Sequence, residues 1–332
     1  MKRLIVLIGV AILAGAGVGL WVSLHRREAT SLGVAVPIEE HGNGQIAYLL
    51  GPRTTAPFPP RRLFVAAPDG STPVPITASA SLEDLAWSPD GARLAYVDSG
   101  GEFGSATIYL VNADGSAREV FLSPTRPLVE IAGISWSPDG RWLAYSEATG
   151  GTSVASNQTA YHLFVKPLGG GAPIQLSSGV DNQLFPAWSP DGTEIAYENA
   201  VPNFASSSIK VMGADGGGVR TILPRDAEIG GFSWSPNSIS ITFGEKGSLH
   251  IVRADGADDH VIYRCPSACE IGATTYSPDG ALIGFEVSSA RSESIRTISV
   301  QGTGLRPLRG VLPGDACCLS WQPTNPAPVA AT

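Results

Sequence analysis

The sequence predicts an all-β protein assembled from repeated, four-stranded antiparallel units. Three observations support this prediction: many turn residues, a motif that recurs about every 47 residues, and two chain ends that complement each other. The 332 residues include 39 Gly and 26 Pro, and 43% of them are hydrophobic. The chain therefore has enough apolar material for a large core and enough Gly and Pro for many tight turns.

The recurring motif is an aromatic residue followed by Ser-Pro-Asp-Gly. The aromatic residues of its six copies, three intact and three degenerate, are Trp87, Trp136, Trp188, Trp234, Tyr276 and Trp321. They are spaced by 49, 52, 46, 42 and 45 residues, a period typical of propeller blades or helical solenoids. Because Pro, Asp and Gly suit successive positions of a β-turn, each copy is predicted to join two strands. Such regular recurrence favours a structural role for these residues over a catalytic one.

Apolar residues follow each turn in a fixed register. Positions seven and nine after the aromatic hold pairs such as Leu94 and Tyr96, which alternate on one face of a strand. A third apolar strand follows, for example Ile108–Val111, and an Asp-Gly turn then leads into a fourth strand. Four antiparallel strands per repeat predict the blade of a β-propeller.

The two ends of the repeat region complete each other. Ile46-Ala47-Tyr48 matches a second strand without a first, whereas Trp321-Gln322-Pro323 matches a first strand without a second. A composite blade from residues 45–78 and roughly 315–323 would close the ring and leave no exposed sheet edge there. With five internal blades, the sequence predicts a six-bladed propeller over residues 45–323 and a tail at residues 324–332.

The Trp-Ser-Pro-Asp-Gly turn, the Leu-Ala-Tyr strand and the Ala-Asp-Gly hairpin resemble the repeats of the TolB-type six-bladed propeller, also called WD40-like PD40 repeats. The resemblance covers residues 45–323 and implies an extracytoplasmic, protein-binding propeller. TolB itself works with the Tol–Pal envelope system and carries an α/β domain before its propeller. Here a predicted linker, residues 28–44, stands in that place.

Residues 1–27 are predicted to form a signal anchor with one transmembrane helix. An apolar stretch from Leu4 to Leu24 lies between Lys2-Arg3 and His25-Arg26-Arg27. At ~1.5 Å per residue it spans roughly 31 Å, enough to cross a bilayer. The propeller is then expected on the extracytoplasmic side of the cell membrane. Ala14-Gly15-Ala16 also fits a cleavage site, and cleavage after Ala16 would give a secreted or periplasmic protein.

The part of the chain beyond residue 27 is acidic and contains all four cysteines. Without the four basic residues of the N-terminal segment, 18 Lys and Arg face 30 Asp and Glu, a net charge of −12, so nucleic acid is not an expected partner. Disulfide bonds are predicted because an even number of cysteines reaches an oxidising compartment. The cysteines are Cys265, Cys269, Cys317 and Cys318. Cys265–Cys269 is the favoured pair, although three connectivities stay open.

The sequence offers no motif for catalysis. It contains no Gly-x-Ser-x-Gly, no cluster of His and Cys at zinc spacing and no Lys-bearing phosphate loop, and no cofactor is predicted. The leading interpretation is a non-catalytic scaffold that binds a protein or peptide in the cell envelope. The alternative is a metal-dependent propeller hydrolase or lyase, whose residues would come together from several blades in the central channel.

Acidic residues stand near the start of every predicted first strand. They are Glu83, Asp84, Glu130, Asp181, Glu228, Glu270 and Asp315. If the first strand is the innermost one, these residues form an acidic rim at one channel mouth; the alternative is a set of solvated loop acids. Ca²⁺ needs ~6–8 oxygen ligands, and acids spread around a ring are far apart, so a basic polypeptide is favoured over Ca²⁺ as the ligand.

Overall fold

The computed structural model describes residues 43–52, 60–79, 81–100, 105–124, 129–149, 160–202, 204–227, 229–289, 293–308 and 315–324. These residues form six four-stranded antiparallel sheets, and the fold is the predicted six-bladed propeller. The predicted N-terminal helix and almost all of the C-terminal tail lie outside these residues. In the described ranges, no helix is long and apolar enough to cross a membrane.

Three blades are formed by the N-terminal half of the chain and its last strand. Blade 1 contains β1 (Ile46–Gly51), β2 (Arg61–Ala66), β3 (Val74–Ser79) and the last strand of the chain, β24 (Asp315–Trp321). Blade 2 contains β4 (Leu82–Trp87), β5 (Arg93–Asp98), β6 (Thr107–Asn112) and β7 (Glu119–Leu122). Blade 3 contains β8 (Ile131–Trp136), β9 (Trp142–Thr149), β10 (Ala160–Pro167) and β11 (Ile174–Gln175).

The other three blades follow in chain order. Blade 4 contains β12 (Asn182–Trp188), β13 (Glu194–Ala200), β14 (Ser207–Gly213) and β15 (Arg220–Ala227). Blade 5 contains β16 (Ile229–Trp234), β17 (Ser240–Glu245), β18 (Ser248–Arg253) and β19 (His260–Arg264). Blade 6 contains β20 (Glu270–Tyr276), β21 (Leu282–Ser288), β22 (Glu293–Ser299) and β23 (Arg306–Pro307).

Blade 1 is the predicted composite blade. Strand β24 pairs antiparallel with β1, with Ile46 opposite Trp321. Gln322 extends this closure, since its backbone N–H donates to the Gln45 carbonyl at 2.7 Å and its side-chain oxygen accepts from the Gln45 N–H at 2.9 Å. The Gln322 amide also donates to the Gly91 carbonyl of blade 2 at 2.8 Å. The last strand therefore joins the first strand and the neighbouring blade.

The Ser-Pro-Asp-Gly turns carry the same hydrogen bonds in blade after blade. In blade 3, Asp139 Oδ1 accepts from the Ser137 hydroxyl at 2.6 Å and from the Arg141 N–H at 3.0 Å. Ser137 Oγ in turn accepts from the Trp142 N–H at 2.9 Å, which fixes the start of the second strand. Partial burial opposes ionisation, but these hydrogen bonds outweigh it and hold the pKa of Asp139 below its ordinary value. The motif residues are thus used within each turn.

The repeat aromatics pack between neighbouring blades. Trp136, which is 7% exposed, clusters with Ala95 and Val97 of blade 2 and with Leu143 of its own blade. Its indole N–H donates to the Ala86 carbonyl of blade 2 at 3.2 Å. Trp87, Trp234, Tyr276 and Trp321 are similarly buried, and Trp188 is half-buried. This placement explains why one large aromatic residue recurs in each repeat.

The ring of turns also joins blades at the end of the inner strands. The Asp191 N–H of blade 4 donates to the Ser238 hydroxyl oxygen of blade 5 at 3.0 Å. Asn43, just before β1, donates to Asp279 Oδ2 of blade 6 at 3.1 Å and accepts from the Asp279 N–H at 3.3 Å. Residues from both ends of the chain therefore reach the turns of the blades that flank blade 1.

Candidate functional site

The six inner strands surround a central channel with a cavity of about 760 Å³. These strands are β4, β8, β12, β16, β20 and β24. The described charged residues that line the cavity are the acids Glu83, Asp84, Glu198, Glu270, Glu286 and Glu293 and the cations Arg61 and Lys246. Six carboxyl groups thus face two cationic groups, and the channel is an acidic, concave surface.

The structure brings part of the predicted acidic rim into this cavity. Glu83, Asp84 and Glu270 line it, whereas Glu130 and Asp181 lie outside the lining. Glu228 and the side chain of Asp315 are outside the described residues. Of the predicted rim, blades 2 and 6 therefore supply the acids that are described in the channel.

Asp84 connects blades 2 and 3. Its Oδ1 accepts from the N–H of Leu85 at 2.8 Å, and its Oδ2 accepts from the N–H of Ile134 in β8 at 2.9 Å. Protein surrounds the carboxyl group although part of it contacts the channel, and this desolvation raises its pKa to about 6, with a further contribution from Glu83. The two N–H donors oppose the shift. Asp84 is thus both a link between blades and an acid that takes up a proton near pH 6.

Several charged residues influence Glu83. Its side chain is exposed to the channel, but the blades enclose it, and this desolvation raises its pKa. The charges of Glu130 and Asp98 raise it further, while Ser99 and Arg61 act in the opposite direction. Glu130 and Glu83 therefore influence each other although only Glu83 lines the cavity.

The two described rim acids outside the cavity lining, Glu130 and Asp181, bind side chains of the protein. Glu130 Oε2 accepts a hydrogen bond from the Tyr161 hydroxyl. Burial and the charge of Glu130 both raise the pKa of Tyr161 above its ordinary value, so Tyr161 stays a donor. Asp181 Oδ2 accepts from the Asn199 amide at 3.0 Å. These contacts give Glu130 and Asp181 structural partners.

Sequence reasoning missed two deeply buried acids of the channel. Glu198 is 4% exposed and Glu286 is 2% exposed, and each directly follows the aromatic residue of a second strand, Tyr197 or Phe285. The other blades hold Leu49, Val97, Ser146 and Gly244 at this position. A carboxylate at a register position that is otherwise uncharged was a detectable signal of an unusual environment.

The predicted Cys265–Cys269 disulfide is present in the structure. It closes the loop between β19 and β20, immediately before Glu270 at the channel. Cys318 lines the cavity, and its Sγ lies 3.0 Å from the Glu83 carbonyl oxygen. Because the side chain of Cys317 lies outside the described residues, a Cys317–Cys318 bond stays a prediction.

No group of three or more His, Cys, Asp or Glu side chains with metal-binding geometry occurs in the described ranges. His250 in β18 lies between two carboxylates, and its Nδ1 is 2.9 Å from Asp259 Oδ1. Its Nε2 lies 4.0 Å from Glu245 Oε2. These three residues lie away from the cavity lining.

A model of the TolB beta-propeller domain, PD40, matches residues 42–325. The chain belongs to this TolB propeller family. Among solved structures, TolB from Acinetobacter baumannii is 18% identical with a TM-score of 0.69, and the match covers 84% of this chain and 67% of that one. No curated protein sequence matches the chain.

Two further structures show how widely this propeller fold occurs. The hydrazine synthase of Kuenenia stuttgartiensis is 13% identical with a TM-score of 0.66, over 84% of this chain and 47% of that one. A chain of a nidogen/laminin complex is 10% identical with a TM-score of 0.62, over 84% of this chain and 98% of that one. At such identities, the similarity to these proteins and to TolB shows a shared fold. These similarities therefore do not assign a function to the channel.

Proposed function

We propose that this TolB-family propeller is a membrane-anchored, extracytoplasmic scaffold that binds a basic segment of a protein or peptide partner in the cell envelope. The observation that carries the proposal is the excess of acids over cations in the channel lining. A concave surface with one dominant sign of charge concentrates ligands of the opposite sign and speeds their association.

The raised pKa values of Asp84 and Glu83 support the same ligand. Both groups are enclosed by protein, which makes their ionisation less favourable than in water. A lysine or arginine side chain placed beside them stabilises the ionised carboxylates, so binding is coupled to proton release. Binding of a basic segment is therefore most favourable beside these enclosed carboxyl groups.

A polypeptide matches the distribution of the acids around the channel. Glu83 lies on blade 2 and Glu198 on blade 4, while Glu270 and Glu286 lie on blade 6. A chain with several basic side chains contacts separate blades at once, whereas a single ion contacts only the oxygens within ~2.6 Å of it. We therefore place the basic segment along the channel.

One feature of the sequence and one of the structure support the proposed location. The apolar stretch Leu4–Leu24 with basic residues on both flanks is long enough to anchor the chain in the cell membrane. The Cys265–Cys269 disulfide suits an oxidising extracytoplasmic compartment. Protease protection of the full-length protein in membrane vesicles would show on which side the propeller lies.

The test is binding of a lysine-rich peptide and of partners recovered from envelope extract by affinity purification. A Glu83→Gln/Glu270→Gln variant should bind more weakly than wild type, and its binding should depend less on salt concentration. Glu119→Gln is the matched control, because Glu119 lies on outer strand β7 with a 62% exposed side chain. Equal affinities at low and high salt in wild type and variant would contradict the proposal.

A further inference from the structure

Lys246 occupies an unusual position among the charged residues of the channel. It lies in the turn between β17 and β18 and lines the cavity with an exposed side chain. No ion pair joins it to a described residue, and the adjacent Glu245 is turned towards His250. The other lining cation, Arg61, donates to the Leu82 carbonyl at 3.4 Å and contributes to the charge environment of Glu83.

The backbone of this turn has a conformation that is energetically unfavourable for lysine. Glu245 pairs with Ser248, and the two residues between them have φ angles of 45° for Lys246 and 74° for Gly247. This is the geometry of a two-residue hairpin turn that favours Asn, Asp or Gly at its first position. A lysine with positive φ is unfavourable there and calls for an explanation.

The disulfide-closed loop holds the turn in place. The Cys265 N–H donates to the Gly247 carbonyl at 2.9 Å. A Cβ atom at Gly247 would lie 2.7 Å from the Cys269 carbonyl oxygen, so the loop and the turn are in direct backbone contact. The Arg264 guanidinium adds a hydrogen bond to the Ser248 hydroxyl at 3.0 Å. The Lys246 backbone is thus supported from the side of the disulfide.

We propose that Lys246 is a specificity-determining residue of the channel, which receives a carboxylate of the bound partner. The inference rests on the proposed function and narrows its ligand to a segment with an acidic side chain beside its basic ones. An acidic lining alone attracts any cationic segment, whereas the ammonium group of Lys246 repels a purely basic segment locally and pairs with a carboxylate. The Cys265–Cys269 loop is the positioning element.

The test compares two peptides of equal length with the full-length protein, one containing Lys and Ser and the other alternating Lys and Glu. Calorimetry should show that Lys246→Gln binds the Lys/Ser peptide more tightly and the Lys/Glu peptide more weakly. The selectivity ratio should change about tenfold, the effect of ~1.4 kcal/mol. Lys246→Arg should keep the ratio, as should Lys210→Gln, a control on β14 outside the cavity lining.

An unchanged ratio in Lys246→Gln overturns the proposal. If wild type binds neither peptide, the proposed function is wrong, and a glutamate-only peptide then tests Lys246 separately. The chain has four lysines, Lys2, Lys166, Lys210 and Lys246, so ¹³C-methylated lysine signals can be assigned by substitution. A saturable shift of the Lys246 signal with this peptide supports carboxylate binding, and an unmoved signal contradicts it.

The positioning role of the loop has its own measurement. The disulfide can be removed in a Cys265→Ser/Cys269→Ser variant or opened in wild type with a phosphine. Both samples should lose part of the peptide selectivity, while their far-ultraviolet circular dichroism stays unchanged. A folded sample with an open disulfide and the wild-type ratio would show that the loop does not position Lys246.

Discussion

The carboxylate of Asp84 in blade 2 accepts a hydrogen bond from the backbone N–H of Ile134 in blade 3, with 2.9 Å between Oδ2 and the nitrogen. The donor lies beside the β-bulge of β8, directly after Gly133, whose φ is 79°. A Cβ atom at Gly133 would lie 2.5 Å from Cα of Phe185 in blade 4. Neighbouring inner strands are thus joined by a side chain on one side and by backbone contact on the other.

Replacing Asp84 should separate its hydrogen-bonding role from its charge. Asp84→Asn keeps an oxygen acceptor for the Ile134 N–H, whereas Asp84→Ala leaves that N–H, in a residue 6% exposed, without its partner. We expect Asp84→Asn to be more stable than Asp84→Ala by about 1 kcal/mol in free energy of unfolding. Urea denaturation at pH 7 measures the difference, and equal stabilities would contradict the role of this hydrogen bond.

The raised pKa of Asp84 predicts a pH dependence of stability. The folded protein binds this proton below pH ~6, and the unfolded chain binds it only below the ordinary value of 3.8. The contribution of Asp84 to stability is therefore largest at acidic pH and falls as pH rises through this window. Glu83 acts in the same direction. On acidification from pH 7 to pH 5, wild type should gain stability relative to Asp84→Asn; a constant difference would contradict the shift.

The turn aspartates should tolerate Asn but not Ala. In blade 5 the chain already has Asn237, whose Oδ1 accepts from the Ser235 hydroxyl at 2.7 Å and from the Ile239 N–H at 3.1 Å. Asp139→Asn should therefore stay close to wild type, whereas Asp139→Ala should lose about 1 kcal/mol in free energy of unfolding. Thermal and urea unfolding of both variants would check this, and equal losses would count against the side-chain oxygen as the stabilising group.

Ring closure should depend on the last strand. Deleting residues 315–332 removes β24 and exposes the partner edge of β1, whose residues Ile46 and Leu49 are fully buried. We expect this truncation to lose cooperative thermal unfolding or to aggregate, as an open sheet edge promotes both. Deleting only residues 325–332 is the control and should preserve the melting curve. A stable, monomeric protein without residues 315–332 would contradict the closure.

Much of the fold could be predicted because the residues of each repeat specify the turn and strands of one blade. The Ser-Pro-Asp-Gly turn specifies a hairpin from its own residues, and six copies in register specify six blades. The incomplete ends at Tyr48 and Trp321 even predict which blade is composite, and the structure confirms this pairing.

The channel was harder to predict because its members come from different blades and depend on ring closure. Glu198 and Glu286 are far apart in sequence, and only their shared register position relates them. Lys246 appears in sequence as an ordinary turn residue, and its position depends on the tertiary contact between Gly247 and the Cys265–Cys269 loop. Spacing along one chain therefore identifies blades more readily than the composition of the channel.

The contact between Asn43 and Asp279 also determines at which end of the channel the described chain enters the ring. This contact places the start of the described chain at the turn end of the inner strands. Glu270 begins the same blade's inner strand, six residues before Tyr276, or about 20 Å away at ~3.3 Å per residue. The described chain therefore joins the ring at the opposite end from Glu270. In the proposed anchored protein, the chain would enter the ring at the end away from this acidic opening.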